Sequence, residues 1–140
     1  MGSFSEHGRT AGAVHSIGWH IVWCPEYRKR VLVGEVADRL RALLGAKAAD
    51  RGWTVEALEV MPGHVRLFVR TGPDASAALV AHQLKGFSSR VLRGEFPHLR
   101  SRVPTLWSKS YFVASVGRVS EAAIGRYIAA QRTRPTKGAP

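Results

Sequence analysis

Residues 53–70 read WTVEALEVMPGHVRLFVR, and this stretch decides the fold. From His64 to Arg70 the residues alternate as in a strand, with Phe68 the one apolar residue among the polar positions. Val65, Leu67 and Val69 face one way; His64, Arg66, Phe68 and Arg70 face the other. Trp53 to Val60 is another run of strand composition, and Pro62-Gly63 is a turn pair between the two. Upstream, Glu35–Asp50 has apolar residues at Val36, Leu40, Leu43, Leu44 and Ala48, a helical spacing. Further upstream, His15–Cys24 (HSIGWHIVWC) alternates and is rich in branched and aromatic residues, so it reads as the first strand.

Downstream, a second helix is expected after Pro73, with Asp74 as its N-cap candidate, running to about Arg93. A loop from Gly94 to Pro104 carries His98, Arg100 and Arg102. Leu106–Val116 contains the fourth strand, and Ser120 caps a last helix from Glu121 to about Arg132. The order is βαββαβ with one helix appended, a ferredoxin-like α+β sandwich. Residues 1–14 are expected to be a flexible arm, 15–132 the domain and 133–140 a disordered basic tail.

A chain of 140 residues with 45% hydrophobic residues makes one globular domain. The single cysteine, Cys24, excludes an intrachain disulfide framework and a cysteine-rich zinc site. The longest stretch without Asp, Glu, Lys or Arg runs from Thr10 to Pro25, shorter than a membrane helix needs. The N-terminus MGSFSEHGRTAG has no apolar core segment and is not a secretory signal. A soluble, cytoplasmic, nucleoid-associated protein is expected, with no membrane and no small-molecule substrate. The net charge is +11, and 16 of the 21 cations are Arg. Arg offers a planar fork that grips phosphate with two hydrogen bonds, so the balance points to nucleic acid. The bland alternative is a surface charged for solubility.

One candidate module is an RNA-recognition motif, but HVRLFVR offers a single outward aromatic, Phe68, where that motif stacks several. Lys85-Gly86-Phe87 mimics the start of its signature yet sits in the expected second helix. The informative residues are EVMPGHVRLFV together with Tyr127 and Gln131, which lie four apart on one helical face. With HIVWCPEYRKRVLVGEV, KGFSSRVLRGEFPHLRSR, LWSKSYFVASVG and RYIAAQ, they make a chain that resembles the single-tyrosine HUH transposases of bacterial insertion sequences. The resemblance runs from about His15 to Arg132.

That resemblance implies a ferredoxin-like domain that dimerises by joining sheets and cuts single-stranded DNA at the foot of hairpins. By position Tyr127 would be the nucleophile, forming a 5′-phosphotyrosine, while His64 and Gln131 would ligate Mg2+ or Mn2+. A phenol is a poor nucleophile at its free pKa near 10, and a metal would favour its attack. The family's second histidine should stand at position 66, where this chain has Arg66. Arginine is a donor only and stays protonated, so it cannot coordinate a cation. Gly63 also replaces a turn residue commonly Asp in the family.

Three readings follow. The domain binds DNA without cutting it, with Arg66 on phosphate; or a rearranged site recruits Glu59; or Arg66 is structural, paired across strands with Glu59. The cofactor is then Mg2+ or Mn2+, or no metal at all. Each residue also has a plain structural alternative: His64 as a packing residue, Tyr127 as a ring laid on the sheet, Gln131 as a solvated amide. His20 and His82 read as structural, and Trp19, Trp23, Trp53 and Trp107 as core or dimer contacts. Lys85, Arg90, Arg93, Arg100, Arg102 and Lys109 form a candidate phosphate track, with a solvated helix face as the alternative.

Overall fold

The structure, a computed structural model, describes residues 9–10, 13–14, 17–115 and 126–131. Within the expected arm, β1 (Arg9–Thr10) pairs antiparallel with β2 (Ala13–Val14). β3 (Ile17–Trp23) follows, then a short 3-10 turn at Glu26–Arg28 and α1 (Gly34–Asp50). β4 (Thr54–Met61) and β5 (His64–Thr71) are joined through Pro62-Gly63, so that Met61 pairs with His64. α2 (Ala77–Glu95), α3 (His98–Arg102) and β6 (Phe112–Ser115) complete the plan. Residues 126–131 are helical and are called α4. The expected cap Ser120 and helix start Glu121, and the tail 133–140, lie outside the described residues.

The four long strands form one antiparallel sheet in the order β4-β5-β3-β6, the ferredoxin-like βαββαβ arrangement. The strict alternation of β5 explains why it can be central. Val65, Leu67 and Val69 are buried against the helices, together with Ile21 and Trp23 of β3. α1 brings Leu40, Leu43 and Leu44 to this layer, and α2 brings Val80, Leu84 and Leu92. Arg39 of α1 grips Glu95 of α2 with two hydrogen bonds, of 2.8 and 2.9 Å. The opposite sheet face carries a smaller cluster: Val22, Cys24 and Ile128, with Phe112 and Tyr127 packed on it. α4 therefore lies over β3 and β6 on the face away from α1 and α2.

Two local expectations need correction. The N-cap of α2 is Ser76, not Asp74: its hydroxyl accepts from the Leu79 N–H at 3.0 Å. Pro73 and Asp74 instead sit in a turn closed by the Ala75 N–H on the Gly72 carbonyl, which delays the helix. The stretch 94–104 is also not all loop. α2 extends to Glu95, and Pro97, with φ −55°, opens α3, which buries Leu99.

Candidate functional site

α4 places Tyr127 and Gln131 one helical turn apart, both turned toward the segment entering β6. The Tyr127 phenolic oxygen lies 3.1 Å from Ser110 Oγ. Ser110 Oγ donates to Gln131 Oε1 at 3.1 Å, and Ser108 Oγ donates to the same oxygen at 3.3 Å. Gln131 is only 3% exposed, and its Nε2 has no hydrogen-bond partner among the described residues. The Tyr127 ring packs on Phe112, with centroids 5.9 Å apart. The two serines were not singled out from the sequence. Their signal was their spacing, which alternates through WSKSYF into the fourth strand.

Lys85 braces this segment from α2. Its Nζ donates to the carbonyls of Ser108 (2.8 Å) and Ser110 (3.2 Å) and lies 5.5 Å over the Tyr111 ring. Burial pushes its pKa down to about 8, partly offset by the nearby Cys24 and reinforced by Lys109. Burial likewise pushes the Cys24 thiol up to about 11.

At the start of β5, His64 is half-buried and loses basicity mainly through desolvation. Glu59 opposes that shift, while Arg28 and Arg66 add to it. Arg28 was read from the sequence only as part of a basic run. Tyr27 and Arg28 take left-handed backbone angles, φ 59° and 54°, which turn the chain so that the Arg28 side chain lies against Gly63. Arg66 stands in register with Glu59, as the two-residue turn requires, and its Nε lies 3.5 Å from Glu59 Oε1. Arg70 and Glu56 form a similar pair at 3.2 Å.

The remaining cations fall into two groups. Arg93 donates to the Val103 carbonyl at 3.1 Å, and Arg100 donates to the Arg93 carbonyl, so both also tie α2 to α3. Arg90, Arg102 and Lys109 are exposed, and Arg90 lies over the Phe87 ring. Lys85 and Lys109 share a cleft of about 170 Å³ with His82 and Tyr111.

The arrangement does not fit a divalent cation held by His64 and Gln131. The Gln131 oxygen is engaged by two hydroxyls, and a guanidinium occupies position 66 beside the imidazole. Among the described residues no group of three His, Cys, Asp or Glu is placed to hold a metal ion. No helix among them is long and apolar enough to cross a membrane.

On this fold, the comparisons with known proteins define a transposase domain of the ferredoxin-like kind. The chain belongs to the IS200-like transposase family, whose sequence model matches residues 13–131. It is 37% identical over 125 residues to the ISDra2 transposase TnpA of Deinococcus radiodurans, covering 88% of this chain and 89% of that one. It is 27% identical over 102 residues to the transposase of insertion element IS200 from Salmonella typhimurium, covering 71% and 67% of the two chains. A crystal structure assigned to a transposase of Deinococcus radiodurans R1 superposes with a TM-score of 0.82 at 37% identity, covering 88% of this chain and 96% of that one. A tyrosine transposase solved with a REP hairpin shares the fold, with a TM-score of 0.57 at 13% identity, over 89% of this chain and 68% of that one.

Proposed function

We propose that this chain binds hairpin-forming single-stranded DNA, with Tyr127 at the nucleophile position and metal-dependent strand cleavage impaired by Arg66. The observation that carries the reading is the cross-strand pair of Arg66 with Glu59, 3.5 Å apart, where the family resemblance calls for a second imidazole. A cation bound beside His64 would meet the Arg66 charge and would have to draw Gln131 from Ser108 and Ser110. Cleavage by Tyr127 would form a phosphorus–oxygen bond at its phenolic oxygen and release a 3′ hydroxyl. That step needs the phenol deprotonated.

DNA binding is supported by the charge of +11 and by the exposed Arg90, Arg102 and Lys109. A homodimer is part of the proposal, because β4 and β6 present open edges of the sheet. The rival reading, a domesticated DNA-binding protein with a structural or regulatory task, is favoured by the same ion pair.

A gel assay for covalent protein–DNA adducts tests the proposal. Hairpin-bearing single strands from DNA flanking the gene would be incubated with Mg2+ or Mn2+ and wild type, Arg66→His, Tyr127→Phe or the double variant. We expect hairpin retention without adduct in wild type, and an adduct in Arg66→His that needs Tyr127. A Tyr127-dependent adduct in wild type overturns the impairment.

A further inference from the structure

The sheet face that carries α4 also holds a feature outside the Tyr127 cluster. β3 pairs with β5 so that His20 stands opposite Phe68. Their rings lie 4.9 Å apart at 14°, a parallel stack in the middle of the sheet. The Arg70 guanidinium lies 5.6 Å from the Phe68 ring. One row along, Glu59, Arg66 and Val22 stand side by side on β4, β5 and β3. Between these rows opens a cavity of about 150 Å³, lined by His20, Phe68, Val22, Ala57, Glu59 and Arg66 among others.

We propose that this cavity is a stacking pocket for one unpaired nucleobase of bound single-stranded DNA. The inference rests on the DNA-binding reading above and names a subsite for it. Three observations support it. First, the stacked His20–Phe68 pair forms an aromatic wall of the cavity, a surface that bases of any sequence can stack against. Second, the charges that line the cavity pair off, Glu59 with Arg66. A pocket whose charges cancel suits a neutral planar group, while the chain's overall excess of +11 serves the phosphates outside it. Third, the Glu59–Arg66 wall offers an acceptor beside a donor, the combination a base edge presents in reverse.

Location adds a reason. Val22 belongs both to the pocket lining and to the cluster that seats Ile128 and Tyr127. A base held there fixes the strand one residue row from the tyrosine helix. Among the described residues α4 rests on Val22, Cys24 and Phe112, and His20 and Phe68 remain half-buried beside it.

The test is fluorescence anisotropy at one fixed salt concentration, with a DNA hairpin carrying a short single-stranded flank. Abasic sites are scanned singly along the flank. Wild type should lose about tenfold in affinity at one abasic position. Phe68→Leu, which keeps apolar volume but removes the π face, should lose about tenfold on the intact probe and be insensitive to that abasic site. His20→Leu should reproduce the effect if Phe68→Leu melts early. With wild type alone, 2-aminopurine at the same position should be quenched on binding. A flat abasic scan with undiminished hairpin binding overturns the pocket and leaves DNA binding intact. Equal abasic losses in wild type and both variants also overturn it. Failure of wild type to bind any hairpin overturns the pocket together with the reading it rests on.

Discussion

Ser110 Oγ stands between the Tyr127 phenolic oxygen and Gln131 Oε1, 3.1 Å from each. An amide oxygen accepts only, so Ser110 donates in its contact with Gln131, while either oxygen can donate in its contact with Tyr127. The phenol is thus held by a hydroxyl that it shares with Gln131. Ser108 fills the remaining acceptor capacity of that amide oxygen. The hydroxyl network thus clamps both side chains that the family resemblance assigns to chemistry.

Ser110→Ala should loosen this clamp. The Ser110 hydroxyl's contacts with Tyr127, Gln131 and Ser108 Oγ disappear, and the buried Gln131 keeps Ser108 alone. We expect a loss of about 1–2 kcal/mol in urea unfolding. The Gln131→Met change in the Ser110→Ala background should cost less than in wild type, because the two residues act as one unit. Strict additivity would show that Ser110 and Gln131 are not coupled.

Lys85 gives the protein a distinct pH dependence. Its folded pKa of about 8 lies below the ordinary 10.5, so between these values the unfolded chain binds the extra proton. Its contribution to stability then rises with pH through that window. Cys24 acts oppositely, since its folded pKa of about 11 exceeds the ordinary 9 and its contribution falls above pH 9. Cys24 is common to wild type and Lys85→Met, so the difference between them reports Lys85. The stability difference between wild type and Lys85→Met should therefore climb across the Lys85 window in urea titrations. A flat difference would place the ammonium in water.

His64 should titrate below its ordinary value of 6.5, because burial, Arg28 and Arg66 all disfavour the imidazolium. The sign follows directly: the folded state resists protonation, so this group's contribution to stability declines as pH falls below 6.5. Arg66→Gln removes one of the depressing charges. Its His64 midpoint, read by NMR, should move up toward the ordinary value; a downward move would contradict the stated causes.

Glu59→Gln tests how much the cross-strand pair matters to folding and to DNA. Arg66 and Glu59 have 30% and 50% of their side chains exposed, so water screens the pair. We expect a stability change below about 1 kcal/mol. Hairpin DNA should bind more tightly and with a steeper salt dependence, because one acidic group is removed from the sheet face. An unchanged salt slope would mean that this face does not meet phosphate.

Much of the architecture was legible because it is local. The alternation in HVRLFVR and the Pro62-Gly63 turn set the β4–β5 hairpin, and with it the Glu59–Arg66 register. The spacing of Leu40, Leu43 and Leu44 gave α1 nearly to the residue. Ser76 was missed as the cap because the Gly72–Ala75 turn consumes Pro73 and Asp74 first. Other relationships join distant parts of the chain and have no local signature. His20 beside Phe68 depends on which strands are neighbours; Lys85 under Ser108 and Ser110 depends on how α2 crosses the sheet. The placement of Arg28 against Gly63 depends on two left-handed residues that no propensity announces.

The Glu59–Arg66 pair has a consequence for inheritance. It lies on a screened, half-open sheet face, in a register that the neighbouring turn enforces whatever residue stands at position 66. The fold is thus nearly indifferent to a change there, and arginine and histidine codons can differ by a single base. A lineage can exchange arginine and histidine there without passing through an unfolded protein. Selection at this position would then act on the behaviour of the DNA element, while the scaffold stays silent.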